Sequence, residues 1–295
     1  MNSHESNTRP CDGYNDVLRK KHPGNLRKLW IRFTHRCLPA GSIIASLWLF
    51  PACGAANGVP PPPIAELLAK IESFQRLTSD IQADIVLTKE NAGEGTTVTG
   101  ATYYRRDADN AFLIVLTAPP SQTGNGYLRV DGNFWMYRKN TRAFQHVSRN
   151  ESIAGTDMRG GDFERRNLTD LFAPDSDSAG GEDIGAEMLG ADVPVYRFGV
   201  RAKVDDVSYP RKTYWIRQDN FLPLKEQSFT KGKKLMQTIY HLKYTRVGNR
   251  YFPVKEIVID EFEKGNKTLV NVTDISTAAL RNEVFTKMFL ESLSK

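Results

Sequence analysis

Two periodicities divide the chain. Ile64, Leu67, Leu68, Ile71 and Phe74 recur at helical spacing, and this single apolar stripe predicts a helix over residues 63–77. From Ile81 the period falls to two. Ile81, Ala83, Ile85 and Leu87 alternate with Gln82, Asp84, Val86 and Thr88, as side chains do on a strand with one buried face. Strand-like runs then follow one another: residues 96–105 are rich in Thr, Val and Tyr, and residues 112–117 are apolar until Pro119 and Pro120. Residues 127–147 contain two turns, Asp131-Gly132 and Arg138 to Thr141, which predict a three-strand meander. A glycine-rich crossing at 155–164 feeds a short helix at 167–172, with Asp162 as an N-cap. Residues 173–181 are small and polar and read as a mobile loop.

In the second half, strand-like runs flank turns at Gly190 to Asp192, Asp219-Asn220, Gly248-Asn249 and Gly265-Asn266. Such closely spaced turns mark an antiparallel all-β architecture and not βαβ units. About ten strands in one sheet must curl, close or split. With so few helices the economical fold is mostly β: a strongly curved sheet, an incomplete antiparallel β-barrel. A helical lid, near residues 63–77 and 163–172, is expected to cover its concave face.

The N-terminal fifth of the chain is different. Residues 1–36 are polar and basic, residues 37–52 are apolar, and small residues follow to Ala56. Basic, apolar, small is the layout of an export signal, and the apolar run is shorter than the roughly 20 residues that a spanning helix needs. The chain therefore divides into a targeting segment (1–56), a proline-rich linker (57–63) and one domain (64–295). Gly54-Ala55-Ala56 offers a small-x-small cleavage site, so the expected product is a periplasmic protein beginning between Cys53 and Gly58. Anchoring through Cys53 is the alternative, although Leu49 sits one place too early for a lipobox. The long basic stretch is explained if translation starts near Leu26 or Leu29. The competing reading is a basic tail on a cytosolic protein.

Composition agrees with export. Cys11, Cys37 and Cys53 are the three cysteines of the chain, so the domain has no internal disulfide, thiolate metal site or cysteine nucleophile. Of 40 Lys and Arg and 34 Asp and Glu, residues 1–53 hold 8 and 3, leaving 32 and 31 for the remainder. The domain is close to neutral, and a nucleic-acid partner loses its main support.

Candidate chemistry is sparse. The sequence has no Gly-x-Ser-x-Gly elbow, no His-Glu-x-x-His and no phosphate-binding glycine loop, and no cofactor is expected. The domain keeps His146 and His241, each in a strand pattern. Gly160-Gly161-Asp162 lacks the spaced oxygen ligands of a calcium loop. What the strands carry is aromatic and apolar residues. A curved sheet with little to fill its concave face makes a cleft that suits acyl chains, at about 0.8 kcal/mol per buried methylene. The expected lining is Phe112, Trp135, Tyr137, Phe163, Phe172 and Trp215. Phe134 and Met136 share one face of their strand and Trp135 and Tyr137 the other. The larger pair, with polar tips suited to a rim, is expected inward.

Several of these stretches carry a resemblance. Gly126-Tyr127-Leu128 before the hairpin, the strand Phe134-Trp135-Met136-Tyr137, and Gly160-Gly161-Asp162-Phe163 leading into a short leucine-containing helix resemble the LolA-like family of outer-membrane lipoprotein-sorting proteins. Residues 283–291 are similar to that family's closing segment, and the resemblance runs from about Ile64 to the end. Gly161 stands where the family tends to have serine, and Arg165, Arg166 and Asn167 follow where it has an aromatic and acidic pair. The resemblance implies a half-barrel. It also implies a non-catalytic periplasmic carrier that binds acyl chains of a lipid or lipoprotein for transfer to the outer membrane, with an inner-membrane exporter as a candidate partner. Two alternatives stand beside it. One is an envelope scaffold docking through a sheet edge or the Arg138, Arg142 and Arg149 cluster. The other is a lipid-acting hydrolase, which would need a Ser or Asp bonded to His146 or His241 inside the cavity.

Overall fold

A computed structural model describes residues 60–294. The expected targeting segment, Cys53 and the first part of the linker lie outside the described residues. Helix α1 (Ile64–Gln75) begins directly after the prolines, and the Pro63 carbonyl accepts the amides of Glu66 and Leu67 at 2.9 and 3.2 Å. Proline suits this boundary, since the first amides of a helix lack internal partners in any case. Six strands follow: β1 (Ile81–Asn91), β2 (Gly95–Arg106), β3 (Ala111–Ala118), β4 (Gly126–Val130), β5 (Asn133–Arg138) and β6 (Ala143–His146). A 3₁₀ turn, Gly160–Phe163, precedes the one-turn helix α2 (Leu168–Leu171) and the short strand β7 (Phe172–Pro174). Then come β8 (Ile184–Leu189), β9 (Val193–Ala202), β10 (Arg211–Arg217), β11 (Pro223–Phe229), β12 (Leu235–Val247), β13 (Arg250–Asp260) and β14 (Lys267–Ser276). A second 3₁₀ turn, Asn282–Phe285, leads into α3 (Lys287–Leu293).

All strands join one antiparallel sheet in the order β6-β5-β4-β3-β2-β1-β14-β13-β12-β11-β10-β9-β7, with β8 also on β9. The sheet does not close into a barrel. β1 pairs with β14, so the first and last strands meet in mid-sheet. Asp131 and Gly132 both have positive φ (51° and 75°), which is the hairpin geometry that an Asp-Gly turn favours. The strand count exceeds the expected ten, partly because Phe172–Pro174 pairs with β9 where a helix end and a loop were anticipated. The following stretch is tied down as well: the Asp175 amide donates to Gly199 O and the Asp183 amide to Asp175 O, both at 2.9 Å. The stretch expected as a loop is thus bridged by backbone hydrogen bonds, with Ser176 also paired to Glu182.

Three covers bury the sheet. On half of the concave face, Tyr103, Phe112, Ile114, Tyr127, Phe134 and Met136 meet the segment after β6, which inserts Val147, Ile153, Met158 and Phe163. Gly160 is pressed so closely on Phe134 that a β-carbon there would lie 2.3 Å from the ring. On the other half, α1 lays Ile64, Leu67, Leu68 and Ile71 on Phe172, Phe198, Val200, Tyr214 and Ile216. On the convex face, the C-terminal segment packs Val284, Phe285 and Leu290 against Leu113, Val115, Leu128 and Tyr137.

The convex cover is testable. Leu290 is fully buried, and a β-carbon on Gly126 would lie 2.6 Å from Leu290 Cδ1 and 2.8 Å from the Ile114 carbonyl. Leu290→Ala is expected to lower the unfolding free energy by about 2–5 kcal/mol, the cost of a large-to-small core change. Gly126→Ala should destabilise by overpacking. Urea unfolding checks both, and an effect below about 1 kcal/mol for Leu290→Ala would show that α3 is not a structural cover.

Candidate functional site

Between the two concave apolar halves lies a cavity of about 190 Å³, bounded by the C-terminal half of α1, α2, the segment 158–167 and the inward faces of β10 to β13. Ile71, Leu168, Leu171 and Phe172 give it an apolar end. The rest is charged. The strand period places these groups: Lys212 and Tyr214 on β10, Glu226 on β11, Ile239 and His241 on β12, and Glu256 and Val258 on β13 share the inward face through cross-strand pairs such as Tyr214 with Glu226 and His241 with Glu256.

Most of these charges are matched. Arg105 and Asp107, at 2% and 3% exposure, pair in a two-pronged contact, each N···O at 2.5 Å. The pair also holds the end of α1: Arg105 donates to Gln75 O at 3.0 Å, and Asp107 accepts the Leu77 amide at 2.7 Å. Burial disfavours the ionised Asp107, but the Arg105 guanidinium and the Leu77 amide outweigh it and hold the carboxyl below its usual value. Lys212 pairs with Glu226; burial opposes its charge, and the carboxylate more than compensates and pushes the ammonium pKa up. Glu164 accepts from Arg129 at 2.8 Å and Arg149 at 3.1 Å. Asp162 is different. Burial raises its pKa against the Arg159 amide and the Gln237 side chain that donate to it. Burial also raises Tyr209 to about 12.

Polar ties fasten α1 around this seam. The Ile64 amide donates to Glu182 at 3.0 Å, Glu72 accepts the Thr169 amide at 2.7 Å, Arg76 donates to Asn167 at 2.8 Å, and Arg250 donates to Ser73 O. His241 Nδ1 lies 2.6 Å from Glu256, while its Nε2 has no hydrogen-bond partner among the described residues. No serine or aspartate is bonded to His241 there, which is the arrangement a hydrolase would need.

Of the six expected lining residues, Phe172 bounds the cavity. Phe112 faces inward from β3, and Phe163 is inserted against it by the covering segment, 5.7 Å between centroids. The expected orientation of β5 is reversed: Phe134 and Met136 point into the concavity, and Trp135 and Tyr137 lie on the convex face. The reason is the C-terminal segment, which gives that face its own apolar cover; the Lys287 ammonium sits 3.1 Å above the Trp135 ring. Trp215 is likewise convex, packed with Val195 and Leu224 and donating to Glu187 at 2.6 Å. The charged seam went unnoticed in the sequence. Its signal is there: Arg105 falls in step with Ala101 and Tyr103, and Glu226, His241 and Glu256 occupy inward positions of strands. A charge at an inward strand position is the mark.

The single open sheet, its helix cover and its convex C-terminal helix define a LolA-like fold. Residues 108–292 match the model of a family described as uncharacterized protein; the match spans more than half of the chain, and the chain belongs to that family. Among solved structures, a LolA superfamily protein from Nitrosomonas europaea is 16% identical with a TM-score of 0.65, over 78% of this chain and 100% of that one. A domain described as an outer membrane lipoprotein-sorting protein, from Vibrio parahaemolyticus, is 14% identical with a TM-score of 0.66, over 77% of this chain and 97% of that one. A DUF1329 family protein from Desulfovibrio piger is 17% identical with a TM-score of 0.65, over 77% and 97%. No curated protein matches the chain.

The Arg105–Asp107 pair sets a further expectation. Asp107→Asn leaves a buried guanidinium without its counter-charge and should cost about 3–5 kcal/mol. In the wild type the depressed Asp107 pKa contributes stability that is present above the unfolded value of 3.8 and is lost as pH falls through the folded value. Thermal unfolding from pH 7 to pH 2 should show that loss in the wild type and a smaller one in Asp107→Asn. Equal acid sensitivity of the two proteins would remove the pair from this role.

Proposed function

We propose that the chain is a non-catalytic carrier of the cell envelope that binds acyl chains of a lipid or lipoprotein on the concave face beneath α1. The observation that carries this reading is that an amphipathic helix covers an apolar sheet surface, with its polar ties at its ends and polar side. At about 190 Å³ the cavity is smaller than the roughly 300–1,000 Å³ of ligand pockets, so an acyl chain requires α1 to move. Magnitudes make that exchange feasible. The four buried side chains of α1 are worth about 1.5–3 kcal/mol each, or about 6–12 kcal/mol together, an upper figure. At about 0.8 kcal/mol per methylene, roughly 8–15 methylenes replace them. That is one long acyl chain. Opening is then a shift between two populated states, drawn by a ligand that prefers the open one.

Periplasmic location, release or anchoring at Cys53, and delivery by an inner-membrane exporter complete the proposal; the export-like pattern of residues 1–56 supports the first of these. The other concave half is filled by Ile153, Met158 and Phe163, and this favours a second reading as an interaction module of the envelope. Titration of a fluorescent long-chain acyl probe separates the two. Wild type should bind it, Phe198→Ala should bind about tenfold more weakly, the scale of one lost aromatic contact of about 1.4 kcal/mol, and Trp135→Ala, altered on the convex face, should bind within about twofold of wild type. Absence of binding in wild type would favour the interaction module.

A further inference from the structure

We propose that the cavity beneath α1 takes a small anionic group, a phosphate or a carboxylate, on the Arg165 guanidinium and the free imidazole nitrogen of His241. The inference rests on the carrier reading to the extent that this anion is taken to be the head of the acyl ligand.

Arg165 is the odd cation of the cavity. Its Nη1 donates to the carbonyls of Asp162 and Glu164 at 2.9 and 2.8 Å, which fixes the plane of the guanidinium. Its Nε has no hydrogen-bond partner among the described residues, and no carboxylate lies within ion-pair distance. The cavity's other cations are engaged. Arg105 has Asp107, Arg149 has Glu164 and Asp206, Arg166 has Asp206, Lys212 has Glu226 and Arg76 has Asn167. The carboxylates are engaged as well: Glu256 with His241, Asp162 with the Arg159 amide and Gln237, and Glu72 with Thr169. Asp107 and Glu256 act on this guanidinium only from beyond ion-pair distance, burial still disfavours its charge, and an incoming anion in direct contact would relieve that cost.

His241 supplies the second donor. It is 8% exposed, its Nδ1 is held by Glu256, and its unpartnered Nε2 belongs to a ring that lines the same cavity. A ring carrying both protons donates to Glu256 through Nδ1 and can donate to an anion through Nε2. Ser208, whose Oγ is also buried without a partner, lines the cavity and adds a neutral donor. Guanidinium, imidazole N–H and hydroxyl form a set suited to the oxygens of phosphate or carboxylate. The apolar end of the cavity, at Ile71, Leu171 and Phe172, adjoins the surface under α1. A head group on Arg165 would leave its chain running along that surface.

The test compares a fluorescent fatty acid with its methyl ester, and separately titrates inorganic phosphate while the His241 ring is followed by nitrogen NMR. Wild type should prefer the acid by about tenfold, as a charge-assisted hydrogen bond implies. Arg165→Met should bind acid and ester alike, and Arg165→Lys should keep part of the preference. Phosphate should shift the His241 resonances saturably in wild type and not in Arg165→Met. Equal binding of acid and ester by wild type, with no phosphate response, overturns the anion site and leaves the carrier reading standing; water alone then satisfies these groups. A saturable phosphate response without binding of either acyl probe supports the anion site for a free ion and removes the carrier reading. Because acid and ester are compared first on wild type, the result does not depend on the folding of a variant.

Discussion

A sheet that curls without closing leaves its concave face to be covered by something outside the ladder. The rest of this structure follows from that constraint. Fourteen antiparallel strands satisfy one another's backbone groups, yet their inward side chains need partners that the sheet does not supply. One half of the concavity is sealed by the segment after β6, with Gly160 seated against the Phe134 ring so that nothing larger fits. The other half is sealed by α1 through four aliphatic side chains. The two covers differ in kind. The first is threaded between strands and pinned by backbone bonds such as Ile153 N to Met158 O. The second comes before the first strand of the sheet and is held by side-chain ties.

Where the two apolar halves meet, the sheet carries charge instead. Arg105, Lys212, Glu226, His241 and Glu256 are inward strand positions, and their burial is tolerable because they are arranged in pairs. The Arg105–Asp107 pair does more than neutralise itself. It receives a carbonyl and an amide from the chain leaving α1, at Gln75 and Leu77, and so couples the helix to the sheet through buried electrostatics. Such a contact resists gradual loosening, since a half-broken buried pair is worse than either a made or a solvated one. Under the proposed function, α1 would be either docked or released.

Much of this was legible in the sequence. The helical stripe from Ile64, the period-two runs and the Asp131-Gly132 turn located α1, most strands and the meander, and the turn spacing pointed to one antiparallel, incomplete barrel. Orientation was less accessible. The alternation in β5 shows that Phe134 and Trp135 face opposite ways, but which way is inward depends on the C-terminal segment, some 150 residues later in the chain, that covers Trp135 and Tyr137. Trp215 shares that fate through Val195 and Leu224. β7 escaped notice because three residues carry too little pattern. The charged seam was visible as polar residues at inward strand positions, and its meaning appears only when β2, β10, β12 and β13 are brought together around one cavity.

The central claim is that α1 is a displaceable cover on a sheet that stays folded. Native-state hydrogen exchange tests it most directly. The amides of Leu68 to Phe74 should exchange through an opening of lower free energy than the global unfolding that releases β12 and β13, and an acyl ligand should change the exchange of α1 while leaving those strands protected. If the α1 amides exchange only with global unfolding, with and without ligand, the helix is a fixed part of the core and the account is contradicted.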